Sequence, residues 1–208
     1  MRKHEAAKKP ATKDFQFIAG NLALDFVNTV GDRLGISRDY FVSVGEFNRW
    51  ARLRGLLRDG EFLPLSKQQF EEILGVREEL YHLFRALSRG ARPTQRLLQI
   101  LNVRFRDVAK KRRLVIAESA VVWQWEAAKR DPDRVLGPIL LSATELLVSG
   151  LWRKIRQCDD VYCGWLFVDR SRAGRRRWCS MADCGNRAKV RRFYRKATLG
   201  RSARRSNA

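Results

Sequence analysis

All four cysteines of this 208-residue chain lie in its last quarter, where they form two evenly spaced pairs. Four residues separate Cys158 from Cys163, four separate Cys179 from Cys184, and fifteen lie between the pairs. Two short loops that each present two thiolates can surround one Zn²⁺ ion tetrahedrally, with Zn–S bonds of about 2.3 Å. Four sulfur ligands leave no open position for water, so the pattern predicts a single structural zinc ion.

Two disulfides, or an iron site, are the alternatives for the same four cysteines. The first fourteen residues, MRKHEAAKKPATKD, are basic and are not followed by the apolar stretch of a secretory signal. We therefore expect a cytoplasmic protein, a compartment in which stable disulfides are rare. This expectation favours zinc.

Charge is concentrated in the same part of the chain. The protein has 43 Lys and Arg against 22 Asp and Glu, and residues 151–208 hold 17 of the bases but only four of the acids. Such an excess predicts a polyanionic partner. The longest stretches without charge, Phe15 to Leu24 and Val135 to Thr144, have ten residues each, whereas a membrane-spanning helix needs about 20. No membrane partner is expected.

Apolar residues at helical spacing predict that most of residues 15–152 is helical. Five candidate helix starts precede these stripes: Asn21, Ser43, Ser66, Thr94 and the pair Asp131-Pro132. Two β-branched and aromatic runs, LVIAE and VVWQWE, predict a hairpin that turns at Ser119-Ala120. The predicted fold class is α+β, with a mostly helical N-terminal domain and a small hairpin.

The segment around the cysteine pairs predicts a second hairpin and a last helix. Alternation through 165–170, a turn at Ala173-Gly174 and a strand through Trp178 predict a hairpin between the two pairs. After Cys184, basic and apolar residues alternate at helical spacing. Arg187, Arg191 and Arg195 share one face of this helix, while Val190, Phe193 and Ala197 share another that we expect to pack on the core.

The basic side chains of this segment are candidate contacts to nucleic-acid phosphates. Arginine offers bidentate donors to phosphate, and counterion release favours binding. The candidates are Arg170, Arg172, Arg175, Arg176, Arg177, Asn186, Arg187, Lys189, Arg191, Arg192, Arg195 and Lys196. A solvated charged face is the alternative, but such faces mix signs, and only Asp169 and Asp183 are acidic here. Asn186 and Arg187 can either reach a base or brace the zinc loops, and Arg177 and Arg187 can offset the charge of the thiolates.

Three strings carry a family resemblance: CGWLFVDRSR from Cys163, RRWCSM at 176–181 and CGNR from Cys184. They closely resemble the CGNR zinc finger. Upstream, FIAGNLALDFVNTVGDR at 17–33 resembles the opening motif of the ABATE domain, which occurs joined to that finger in bacterial proteins regarded as stress-response transcription regulators. The resemblance implies a treble-clef-like zinc module that binds DNA, behind an α/β domain.

These observations predict four segments: a mobile basic tail at 1–14, an ABATE-like domain at 15–152, the zinc finger at 153–198 and a basic tail at 199–208. The N-terminal domain is a candidate sensor or homodimerisation unit. Asp25, Asn28 and Thr29, within one helical turn of each other, are candidates to line a small-ligand pocket. The alternative is that they cap the helix and bond nearby backbone.

Enzyme chemistry finds little support in the sequence. The only histidines are His4, in the predicted tail, and His82, within a predicted helix, and no GxxxxGK or GxGxxG loop occurs. We therefore expect no enzyme activity. The function that the sequence predicts is a DNA-binding transcription regulator; an RNA-binding or ribosome-associated zinc protein is the alternative, and an adaptor for acidic protein surfaces is a third.

Overall fold

The computed structural model describes residues 15–126 and 128–205, apart from the side chains of Leu97, Ile100 and residues 196–205. The predicted tail at 1–14 therefore lies outside the described residues, as does the side chain of Lys196. Helices dominate, and three two-stranded antiparallel sheets accompany them within the described part of the chain. The predicted α+β class is confirmed.

Five helices form the N-terminal part: α1 (Leu22–Val27), α2 (Val44–Leu53), α3 (Lys67–Ser88), α4 (Gln95–Ala109) and α5 (Asp133–Val148). Each begins directly after its predicted start. The Asn21 side chain accepts hydrogen bonds from Ala23 N and Leu24 N, and Ser66 forms a reciprocal capping box with Gln69. Two short strands, β1 (Val30–Gly31) and β2 (Arg38–Asp39), pair across the loop that follows α1.

The predicted hairpin is present as β3 (Arg112–Ala117) and β4 (Ala120–Trp125). It turns at 118–119, one residue earlier than predicted, with Glu118 at a φ of 54°. Most of its side chains are exposed, and Trp125 anchors it to α5 by lying against Gly137. A Cβ at Gly137 would come within 2.6 Å of the Trp125 ring, so the close approach requires glycine there.

The C-terminal part differs from its prediction in strand pairing. A 3₁₀ turn (Leu151–Lys154) leads into β5 (Ile155–Gln157), which pairs with β6 (Leu166–Val168). The partner predicted for β6, at 175–178, forms no strand. The reason is that the backbone of this segment is used elsewhere: Arg176 N donates to the Asp169 side chain at 2.9 Å, and Arg177 O accepts from Asp159 N, just after β5, at 2.9 Å. A π-helical turn (Met181–Gly185) then leads into α6 (Asn186–Arg205).

One hydrophobic core runs through both parts of the chain. The largest buried side chains of the helical part include Phe26, Trp50 and Phe84, and the same cluster continues through Phe167 and the four cysteines. None of the helices within 15–126 and 128–205 combines the length and the hydropathy that crossing a bilayer requires. The cysteine site is thus built against the helical part.

A candidate zinc centre and its basic surroundings

The four cysteines converge on one point. Their sulfur atoms all lie within 4.8 Å of one another, and every one of the four residues is buried. Cys163 Sγ is 3.7 Å and Cys184 Sγ 3.5 Å from Cys179 Sγ. A tetrahedron with Zn–S bonds of about 2.3 Å has edges of about 3.8 Å, whereas a disulfide needs about 2.05 Å. The donor set therefore fits one structural zinc ion, and the disulfide alternative is wrong.

Two loops present these ligands; we call residues 158–163 the first knuckle and 179–184 the second knuckle. In the first, Cys163 N donates to Asp160 O at 3.1 Å, and Cys158 N donates to Trp165 O at 2.8 Å. In the second, Ser180 caps the π-helical turn by accepting from Asp183 N. Cys179 N donates to Cys158 Sγ at 3.4 Å, which joins the two knuckles through a backbone donor.

Two arginines were expected to offset the charge of the thiolates. Arg187 does contact a zinc-ligand cysteine, since its Nη2 donates to Cys184 Sγ at 3.1 Å. Arg177 instead pairs with Asp159 at 2.7 Å, in an exposed position. The structure therefore gives Arg187 a bracing contact at the metal site.

Asp160 is the buried anion of this region. It accepts from Arg191 Nη2 at 2.8 Å, from Arg187 Nε at 3.2 Å and from Tyr162 N at 3.1 Å. Burial raises its pKa, but the hydrogen bonds from Arg191 and Tyr162 and the charge of Arg187 outweigh burial, so the pKa lies below its ordinary value. Asp160 thus clamps α6 to the first knuckle.

Sequence reasoning did not single out Asp160. A signal was available, because Asp160 is one of only four acidic residues among residues 151–208, and it lies between the first two cysteines. A rare carboxylate inside a ligand loop of a strongly basic segment predicts an internal ion pair.

The helical part of the chain holds the first knuckle through backbone groups. Arg33 N donates to Cys163 O and Leu34 N to Tyr162 O, both at 3.0 Å. Just beyond the knuckle, Trp165 Nε1 donates to Val30 O at 2.8 Å. These bonds fix the loop after α1 against the zinc ligands.

The three candidate ligand-binding residues are buried and bonded to protein groups. Asp25 accepts from Ala19 N at 3.1 Å, and burial raises its pKa to about 6 against the opposing effects of that bond and of Arg54. Asn28 bonds the backbone of Leu166. Thr29 Oγ1 donates to Phe26 O at 2.7 Å. Their polar atoms thus join helix, loop and strand in the core.

The candidate phosphate contacts fall into two groups. Some are used within the protein: Arg176 (to the carbonyls of Trp178 and Cys179), Arg187 and Arg191 (to Asp160), Arg177 (to Asp159), Arg170 (to Gly20 O) and Asn186 (to Ala182 O). Five others are exposed and, among the described residues, have no carboxylate partner; we call them the five exposed cations: Arg172, Arg175, Lys189, Arg192 and Arg195.

The apolar face of α6 does not pack on the core, contrary to the prediction. Val190 is 53% exposed and Phe193 is 69% exposed, and the neighbouring Tyr194 ring lies 5.8 Å from that of Phe193. The reason is that Arg187 and Arg191 turn toward Asp160, so the opposite side of the helix faces solvent. Ala197, the remaining member, has no described side chain.

Comparison with known protein families gives two matches that together cover most of the chain. Residues 154–197 match the CGNR zinc finger, and residues 20–150 match the ABATE family, whose description is "Putative stress-induced transcription regulator". No curated protein matches the chain. Since the second match spans more than half of the 208 residues, the chain belongs to the ABATE family of regulators and carries a CGNR zinc finger.

Proposed function

We propose that this regulator binds DNA through its zinc finger, with the five exposed cations contacting phosphates. The zinc ion has a structural role in this proposal, because four thiolates fill its coordination sphere. It holds the two knuckles and the start of α6 in fixed positions. The proposal includes no catalytic activity.

The observation that carries the proposal is that the acidic residues of the finger are already engaged. All four carboxylates of residues 151–208 have protein partners: Asp159 (Arg177), Asp160 (Arg187 and Arg191), Asp169 (Ser171 and Arg176) and Asp183 (Gln16). Within the described part of the chain, none of these four carboxylates pairs with any of the five exposed cations, so the finger's own acids do not neutralise them. An external polyanion is the partner that such a surface favours.

The distribution of these cations fits contact with a nucleic-acid backbone. Arg172 and Arg175 lie on the loop between the knuckles, and the other three lie on α6. Phosphate contacts of this kind give affinity and register without reading sequence. Arg187 and Arg191, which sequence spacing favoured, hold Asp160 instead, so we assign them to positioning α6.

Control of DNA binding by a small-molecule ligand of residues 20–150 is part of the proposal. The support is a direct contact between the N-terminal part and the zinc finger. The loop after α1 bonds the first knuckle through Arg33 N and Leu34 N, so a ligand that moves this loop also moves the zinc finger.

Binding of unpaired RNA is a second candidate function. The exposed pair Phe193 and Tyr194 lies next to Arg192 and Arg195 on α6. Exposed aromatic rings flanked by arginine favour stacking on single-stranded bases, which duplex DNA does not offer.

Parallel selection from random duplex DNA and random RNA pools tests the two candidates. The zinc-loaded full chain is used at about 150 mM salt, where charge-driven background binding is reduced. An enriched duplex motif is the expected result, and a motif with twofold symmetry would add a homodimer to the proposal. Enrichment of unpaired RNA alone would replace DNA by RNA. Enrichment in neither pool would contradict sequence-specific recognition and would leave charge-driven binding to phosphates or a protein partner.

A further inference from the structure

A polar cleft of about 480 Å³ opens between the loop that follows α1 and the side of α3. The loop contributes Arg33, Leu34, Ser37 and Asp39, and α3 contributes Arg77, Glu78, Tyr81, His82 and Arg85. A volume of this size is typical of sites for small molecules. None of the residues proposed to contact DNA lines this cleft.

Two of the three arginines in the cleft are already paired. Arg33 binds Glu78 through two nitrogens, at 2.6 and 3.1 Å, and its guanidinium lies 3.8 Å above the Tyr81 ring. Arg77 binds Asp39 through two nitrogens, at 2.8 and 2.6 Å. Both carboxylates of the cleft are thus occupied by cations.

Arg85 is the cation that remains. Unlike Arg33 and Arg77, its side chain has no ion pair among the described residues, and its Nε, like that of Arg33, is buried without a hydrogen-bond partner. A buried polar nitrogen without a partner is costly unless a ligand or solvent satisfies it. His82 and Ser37 line the same cleft, are exposed and can donate further hydrogen bonds.

We propose that this cleft binds a small anion with a carboxylate or phosphate group, held by the guanidinium of Arg85. The planar guanidinium matches either group through paired N–H donors. Because Glu78 and Asp39 are neutralised by Arg33 and Arg77, they do not repel the incoming charge. The proposal deepens the proposed function, on which its regulatory part rests, by naming the site and the class of the ligand.

The cleft is connected to the zinc ligands on one side. Tyr81, in its wall, donates from its hydroxyl to Gly164 O at 3.1 Å, next to Cys163. The loop that forms the other wall bonds the first knuckle through the backbone of Arg33 and Leu34. An anion that contacts both Arg85 and Ser37 therefore draws α3 and this loop together. Both of these walls bond residues of the first knuckle or next to it, so the movement reaches the zinc ligands.

The test is a titration of the zinc-loaded full chain, ¹⁵N-labelled, with succinate in one arm and inorganic phosphate in the other. Each anion replaces chloride at a constant ionic strength of about 150 mM. We expect saturable shifts of the amides of Ser37 and Arg85 in at least one arm. Saturation with succinate alone assigns a carboxylate ligand, and saturation with phosphate alone assigns a phosphate ligand.

Three variants make the test specific. Arg85→Gln is expected to weaken binding by about tenfold or more, because it removes the bidentate donor. Ser37→Asp places a negative charge at the exposed mouth of the cleft and is expected to weaken binding similarly while leaving Arg85 intact. Arg89→Gln removes the same charge from an exposed position one turn later, outside the cleft, and is expected to change affinity by less than about twofold.

Two results would overturn the site: shifts that do not saturate in either arm, or equal weakening by Arg85→Gln and Arg89→Gln. DNA affinity measured with and without the saturating anion separates this proposal from the proposed function. An anion that binds without changing DNA affinity supports the site and removes ligand control from the function. If the protein binds no DNA either with or without the anion, while the anion still binds the cleft, the proposed function is contradicted and the anion site stands.

Discussion

The side-chain amide of Asn28 bonds the backbone of Leu166 in both directions. Leu166 N donates to Asn28 Oδ1 at 2.9 Å, and Asn28 Nδ2 donates to Leu166 O at 2.8 Å. Asn28 directly follows α1 in the ABATE region, whereas Leu166 begins β6 in the zinc finger. The Asn28 side chain therefore satisfies the two backbone groups of Leu166 that a neighbouring strand would otherwise pair with.

Replacing Asn28 by Ala leaves both of those backbone groups buried and unpaired on this side. We expect a loss of about 2–4 kcal/mol in the free energy of unfolding, measured by urea denaturation of the zinc-loaded protein. Asn102→Ala, at an exposed position of α4, is the matched control and should change stability by less than about 0.5 kcal/mol. Equal effects of the two substitutions would contradict the role of Asn28.

Removal of zinc should destabilise the helical part as well as the finger. The first knuckle bonds the loop after α1, and the core is continuous between the two parts. Binding of structural zinc contributes on the order of 10 kcal/mol of folding free energy, comparable with the stability of a whole domain. With chelator, we expect faster hydrogen exchange in α1 and α3 as well as in residues 154–197, reversed by added zinc. Unchanged protection of α1 and α3 would show that the two parts fold separately.

Gly137 and Gly75 form a matched pair for a steric test of the β3–β4 hairpin. A Cβ at Gly137 would lie 2.6–2.9 Å from atoms of the Trp125 ring, whereas a Cβ at Gly75 on α3 meets no atom within 4 Å. Gly137→Ala should therefore destabilise the protein by about 1–3 kcal/mol. Gly75→Ala should stabilise it by about 0.5–1 kcal/mol, because alanine favours the helix. Thermal unfolding of both variants measures the difference, and shifts of the same sign would refute the packing of Trp125.

Arg192 and Arg195 should affect nucleic-acid binding without affecting stability. Both are exposed on α6, so their joint replacement by Ala should lower affinity and flatten the dependence of log K on log salt by about two. Arg187→Ala should instead lower stability, because Asp160 loses a partner. The charge-matched control is Arg92→Ala with Arg96→Ala, both exposed in the ABATE region. A control that weakens binding equally would mean that net charge alone acts.

Asp25 should make stability fall as pH rises through mildly acidic values. Burial raises its pKa to about 6 in the folded protein, so the folded state retains a proton that the unfolded state has released. Between about pH 4 and 6 the free energy of unfolding should therefore decrease, by about 3 kcal/mol in total from this group. Above about pH 6 the contribution stays constant.

Asp25→Asn removes the carboxyl group of Asp25 and leaves every other titratable group in place. The difference between the urea-unfolding profiles of the two proteins cancels other carboxylates and acid release of zinc, which both share. We expect that difference to change steeply between about pH 4 and 6 and to be flat at higher pH. A difference that is flat throughout would mean that Asp25 titrates with an ordinary pKa.

Much of the fold could be predicted from local patterns. Ser66 and the stripe through Leu80 specify α3 without reference to the rest of the chain, because a cap and a helical period act within a few residues. The cysteine spacing predicted the metal centre for a similar reason, since two short loops with paired thiolates have one closed arrangement around an ion.

What sequence reasoning missed depends on pairs that are distant along the chain. Alternation in 165–170 predicted a strand, but the choice of β5 as its partner depends on which groups bond the backbone of residues 176–177. The spacing of Arg187 and Arg191 predicted a common face, but not that a carboxylate 27 residues before Arg187 occupies it. A helical period identifies which residues lie together, and it does not identify what they face.

The continuity of the core across residue 152 has a consequence for how such a protein can be rearranged by gene fusion. A zinc finger that has its own hydrophobic core can be fused to another protein and still fold. Here a transplanted C-terminal segment would carry all four ligands but would leave Phe167 and Leu166 uncovered, since α1 and the loop behind it would stay with the donor. The two segments are therefore expected to be inherited together. Substitutions near Asn28 are expected to weaken zinc retention, although Asn28 is not a zinc ligand.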